Sequence, residues 1–190
     1  RYEPLSEPTL KESIIEMTSQ AGIPTERVFQ ANYSEKTNAI NAYVDGIGPS
    51  LRIVIWDTAL QQLTESEILF LTAHEIAHYV KRHLQWSALG AIVSTFFLLW
   101  LGNKLYRFVL KRWRSVLLIR HPADWTGLPL MLLYTSILTF MLTPVTSAVS
   151  RQAEREADRY AYELTKDAAS AITMYQKLAL SSKGTLHPPP

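Results

Sequence analysis

The chain has 190 residues, 47% of them hydrophobic and 19% charged, with a formal net charge of +2 and no cysteine. The missing thiols exclude disulfides and thiolate metal sites, and the near balance of charge gives no support to nucleic acid as a partner. This length accommodates one compact catalytic domain plus a helical hairpin.

In chain order, Thr9-Leu10-Lys11-Glu12 reads as a capping box for a first helix carrying Leu10, Ile14, Met17 and Ala21, stopped by Gly22 and Pro24. Three strands follow at 28–32, 39–44 and 51–56, the last two joined through a turn-rich segment from Asp45 to Ser50. They are expected to form a small antiparallel sheet. Asp57 is placed to cap a short helical turn. The strand with Asn41 and Ala42 fits a sheet edge, where an extended peptide can add main-chain hydrogen bonds. A strand end with no substrate role is the competing reading for Asn41.

A second capping box, Thr64-Glu65-Ser66-Glu67, opens a helix with Ile68, Leu69, Leu71, Ile76, Tyr79 and Val80 as its apolar face. Lys81, Arg82 and His83 are expected in its last turn. Inside it lies His74-Glu75-Ile76-Ala77-His78, an H-E-x-x-H pattern. Four residues exceed one helical turn slightly, so His74 and His78 share a face and can hold one metal ion, with Glu75 beside it as a base. Zinc needs a third ligand and an open position.

Two uncharged apolar runs follow, 84–101 and 125–150, with Trp86, Trp100, Trp125 and Tyr134 near their ends. A bilayer core takes about 20 apolar residues as helix, so the pair reads as a transmembrane hairpin. Two buried helices of a soluble bundle are the alternative. Between them, 103–124 carries Lys104, Arg107, Lys111, Arg112, Arg114 and Arg120 against Asp124 alone. Leu105, Phe108, Val109, Trp113, Val116 and Leu117 would line a basic surface helix there. The positive-inside bias puts this loop in the cytoplasm and the active site outside.

Residues 150–158 read as helix with Glu154 and Asp158 four apart. One carboxylate could bind zinc while the other accepts the ring N–H of a ligand histidine. Taken alone, these residues favour a solvated face with Arg155 and Arg159 as ion-pair partners. His83 and His121 are rival third ligands. Beyond, Asp167 is expected to cap a last helix carrying Ile172, Met174, Tyr175, Leu178 and Leu180, ended by Lys183-Gly184, with His187 in an extended tail.

Four segments in order carry a family resemblance: 37–46 around Asn41-Ala42-Tyr43, 53–60, the H-E-x-x-H within 73–83, and Ser150-Arg151-Gln152-Ala153-Glu154-Arg155-Glu156-Ala157-Asp158. Together they make the chain similar to the M48 zinc metallopeptidases, the Ste24, HtpX and Oma1-like group. The resemblance implies an α+β, mainly helical zincin-like (gluzincin) domain, split into 1–83 and 150–190 by the membrane hairpin at 84–149. It implies one Zn²⁺ held by His74, His78 and Glu154, with Asp158 as an outer companion and Asn41, Ala42 and Tyr43 binding substrate. It further implies hydrolysis of peptide bonds by a zinc-activated water with Glu75 as general base, in an integral membrane protein whose catalytic face is cytosolic. Polypeptides, among them membrane proteins, and the lipid bilayer are the implied partners. Quality control of membrane proteins and Ste24-like processing both fit. A non-catalytic zinc-stabilised scaffold and a zinc amidase or esterase are the alternatives. Tyr43, Arg151, Arg155, Arg159 and Tyr160 are the candidate oxyanion donors. The start at Arg1 suggests a portion of a longer protein.

Overall fold

A computed structural model describes residues 2–117 and 125–181, the side chains of 114–117 excepted. The elements are β1 (Tyr2–Pro4), α1 (Pro8–Gln20), β2 (Val28–Ala31), β3 (Ala42–Asp45), β4 (Arg52–Trp56), α2 (Asp57–Gln62), α3 (Glu65–Val80), α4 (His83–Leu117), α5 (Leu128–Thr165) and α6 (Ala168–Ser181). Two compact units result. One comprises the chain up to Arg82 together with the chain from Ala153 onward; the other is His83–Gln152.

In the first unit the strands lie in the order β1-β2-β4-β3. The expected all-antiparallel sheet is corrected to a mixed one. β1 runs antiparallel to β2 and β3 antiparallel to β4, but β2 pairs parallel to β4, from Val28 opposite Ile53 to Ala31 opposite Trp56. Local alternation cannot reveal this, because β4 inserts between two strands that precede it and β1 is too short to show a period. Gly46 permits the β3–β4 turn: its φ is +94°, and an added Cβ would lie 2.3 Å from the Ser50 carbonyl oxygen.

Leu10, Ile14 and Met17 of α1, Ile53 and Ile55 of β4, Ile68, Phe70, Leu71 and Ile76 of α3, and Met174 of α6 form one buried core. Three local expectations change. Helix α1 begins at Pro8 after Glu7, with no side-chain cap, so Thr9 lies inside the helix. Proline at the first position presets φ and lacks only an amide that would be unpaired anyway. Asp57 is the first residue of α2 rather than its cap; its carboxylate accepts from the Tyr33 and Ser34 amides and the Ser34 hydroxyl, pinning that loop. Finally, α3 stops at Val80. Lys81 is its C-cap and Arg82 takes a left-handed φ of 57°, so His83 opens α4 instead of closing α3.

Two apolar stretches, His83–Trp113 within α4 and Trp125–Thr165 including all of α5, have most apolar windows with mean hydropathies of 1.6 and 1.7, of which 0% is buried. At 1.5 Å per residue the first is about 46 Å long, more than the ~30 Å of a bilayer's hydrocarbon core. Phe96, Trp100 and Phe140 are 70%, 57% and 79% exposed, so these helices are not the core of this chain. Segment 103–113 is not a separate surface helix but the continuation of α4, which kinks at Trp113. Its buried residues are Tyr106 and Leu110, packed with Leu130 and Tyr134, whereas Phe108 is exposed. Arg120, His121, Asp124, Lys183, Gly184 and His187 lie outside the described residues.

Candidate metal centre

The Thr64 capping box forms as expected: the Thr64 hydroxyl accepts from the Glu67 amide at 3.4 Å, and the Glu67 carboxylate accepts from the Thr64 amide at 2.7 Å. Glu67 also accepts from Lys177 of α6 at 2.6 Å, although the Glu67 side chain is only 4% exposed. Burial pushes this carboxyl up, but Lys177 and the Thr64 amide together hold it below its usual value. The start of α3 is thereby tied to α6.

Two turns further along α3, His74 and His78 approach each other through their Nε2 atoms at 3.1 Å. Glu154 Oε2, from α5, lies 3.3 Å from His74 Nε2 and 3.8 Å from His78 Nε2. These three residues are the group of His, Asp and Glu side chains among the described residues able to hold a metal ion, each offering an atom within 4.8 Å of the others. His83 is not in that group.

The donor set fits a cation. His74 Nδ1 is 2.9 Å from Asp158 Oδ1 and donates to it, which leaves a lone pair on Nε2 facing the carboxylate of Glu154. Two lone pairs at that distance repel unless a cation or a proton lies between them. Two imidazoles and a carboxylate are a borderline-hard set suited to zinc.

Glu75, which follows His74 in α3, is partly buried. Burial, and then the charge of Glu154, push its carboxyl up to about 7. Among the oxyanion candidates, Arg159 is paired with Glu163 at 2.9 Å, Lys81 lies over the Tyr160 ring, and the Tyr43 hydroxyl donates to that of Tyr2 at 3.1 Å. Asn41 precedes β3, and its carbonyl accepts from the Trp56 amide; Ala42 is buried and Tyr43 half-buried. β3 is a sheet edge and packs against α3.

One residue of this centre has no motif to mark it. Tyr175 of α6 donates its hydroxyl to Asp158 Oδ1 and lies 3.3 Å from His74 Nδ1. Burial, followed by the Asp158 hydrogen bond and the acidic charges around it, holds its phenol far above the usual value, so it remains a donor. Of the residues the sequence puts on this helix, Met174 and Leu178 pack into the core, Ile172 and Leu180 are exposed, and Tyr175 is 40% accessible, its hydroxyl held by Asp158.

Fold and site together describe a mainly helical domain with a His/His/Glu group able to hold a metal ion. The chain belongs to peptidase family M48, whose model matches residues 4–190. It is 40% identical over 188 residues to the uncharacterized metalloprotease YhfN of Bacillus subtilis, covering 99% of this chain and 44% of that protein. It is 29% identical to the CAAX prenyl protease 1 of Saccharomyces cerevisiae, covering 86% of this chain and 39% of the relative. The chain thus spans less than half the length of these curated relatives. The crystal structure of S. mikatae Ste24p shares the fold with a TM-score of 0.73 at 24% identity, over 100% of this chain and 47% of the other.

Proposed function

We propose that this protein is a membrane-embedded zinc metalloendopeptidase. The observation that carries the reading is the convergence of His74 Nε2, His78 Nε2 and Glu154 Oε2 beside a glutamate whose carboxyl is raised to about 7. His74, His78 and Glu154 would hold the ion. When bound, zinc supplies Lewis acidity, acidifying a water and polarising a carbonyl oxygen.

The chain's own residues do the rest. Glu75, one residue past His74, takes the proton of the attacking water and returns it to the departing amine, a task suited to a carboxyl that titrates near neutrality. Asp158 fixes the ring orientation and proton position of His74. The β3 edge at Asn41, Ala42 and Tyr43 binds an extended substrate by strand addition, the geometry that best presents a peptide bond to a neighbouring helix. The exposed apolar faces of α4 and α5 are satisfied by lipid, which makes the protein integral to a membrane. Similarity to CAAX prenyl proteases favours a cytosolic catalytic face and a membrane-associated substrate, either a processed C-terminus or an unfolded membrane protein.

Zinc content and cleavage in detergent test the reading, with an unfolded membrane protein and a prenylated C-terminal peptide as substrates. One zinc per chain, cleavage by wild type and loss of cleavage with zinc retained in Glu75→Gln are expected. A Glu75→Gln variant with full activity would refute the assigned base, and bound zinc without cleavage of either substrate would favour a scaffold.

A further inference from the structure

Three helices meet at a single carboxylate oxygen. Asp158 Oδ1, on α5, accepts from His74 Nδ1 of α3 at 2.9 Å and from the hydroxyl of Tyr175 on α6. The same hydroxyl oxygen lies 3.3 Å from His74 Nδ1, so the imidazole N–H is shared between Asp158 and Tyr175. The position of Tyr175 is set by packing on both sides of it. Met174 is fully buried, Phe70 meets the Tyr175 ring edge-on at 6.4 Å, and Lys177 reaches Glu67 at 2.6 Å. Glu67, Phe70 and His74 are spaced to lie along one side of α3, and α6 is registered against that side.

We infer that Tyr175 is a positioning residue of the metal centre, acting through Asp158 to hold His74 in the tautomer that presents Nε2 to the ion. The inference rests on the metal reading of His74, His78 and Glu154. Its physical basis is the exposure of Asp158, whose side chain is 45% accessible. A carboxylate so open to water has other rotamers and other donors available. A second, protein-borne donor from a different helix restricts it to the rotamer that faces His74. The second donor also spreads the charge of Oδ1, so the carboxylate accepts the imidazole proton as a hydrogen bond without removing it. Phenylalanine at 175 keeps the ring contact with Phe70 and removes only the hydroxyl.

The test uses the full chain in detergent and measures zinc affinity by competition with a fluorescent chelator. Wild type, Tyr175→Phe, Asp158→Asn and the double variant are compared, with Tyr162→Phe as a control on an exposed tyrosine under Lys166. Outer partners of metal-binding histidines are worth about 10- to 100-fold in affinity, and a residue one hydrogen bond further out should be worth about 5- to 20-fold. Tyr175→Phe is therefore expected to weaken zinc by that factor, to lower kcat with little change in KM, and to leave the chelator-treated Tm within about 2 °C of wild type. The double variant should bind zinc no more weakly than Asp158→Asn alone. Affinity within twofold of wild type overturns the inference. So does a parallel fall in chelator-treated Tm with fully multiplicative losses in the double variant, which marks a purely structural tyrosine. Failure of wild type itself to bind zinc overturns the metal reading and this inference with it.

Discussion

Replacing Glu75 by Gln preserves the size of the side chain and removes its charge, which separates its cost to the fold from its use in chemistry. Burial and the neighbouring Glu154 raise the Glu75 carboxyl to about 7, from an ordinary value near 4.5. The sign follows from proton linkage. Between those two values the folded chain holds a proton that the unfolded chain has released, so stability falls as pH rises through that window and the loss is complete above about 7. The interval corresponds to roughly 3 kcal/mol. For a protein of this length each kcal/mol moves Tm by about 2–4 °C, so Glu75→Gln should melt about 6–12 °C higher than wild type at pH 8. At pH 5 the two should nearly coincide. Thermal unfolding in detergent with a chelator present, at a series of pH values, measures this difference directly. Adding zinc should shrink it, because a cation at His74, His78 and Glu154 favours the charged form of Glu75. A difference independent of pH, or a variant less stable than wild type at pH 8, would refute the reasoning.

The pair linking α3 to α6 gives the opposite pH signature. Lys177→Met strands the buried Glu67 carboxylate and should cost about 1–3 kcal/mol at pH 7, between exposed and fully buried pairs because Lys177 is partly open to water. Since Glu67 titrates below its ordinary value when folded, its contribution is complete above about pH 4.5 and disappears as pH falls through the lower folded value, so the variant and wild type should converge in acid unfolding curves. Gly46→Ala places a Cβ against the Ser50 carbonyl at a positive φ and should lower stability by about 2 kcal/mol or more in denaturant titrations. An unchanged midpoint would show that the β3–β4 turn rearranges freely. Glu154→Ala removes the carboxylate that α5 brings to the proposed zinc site and should reduce bound zinc from one per chain to well below half in metal analysis after dialysis. Retention of full occupancy would move the third ligand elsewhere.

How far the site was legible in the sequence depends on how each residue is held. His74, Glu75 and His78 lie within one helical turn and a half, so helix geometry alone sets their relation, and the Thr64 box fixed where that helix begins. The apolar runs declared two long helices because composition and length need no partner to be read. Glu154 and Asp158 were visible as an i,i+4 pair, but these residues alone favoured a solvated ion-pair face. It took the approach of α5 to α3 to bring Oε2 of Glu154, 80 residues along the chain, to 3.3 Å from His74. The parallel pairing of β2 with β4 is likewise a decision of tertiary structure, since strand order depends on contacts that no local pattern encodes. Tyr175 marks the limit most clearly. The sequence put it among the apolar residues of the last helix, and only the registration of α6 on α3, through Glu67, Phe70 and Met174, brings its hydroxyl to Asp158 at the candidate metal centre. Sequence by itself determined the chemistry that one helix can assemble; what must be assembled from several helices was decided by packing.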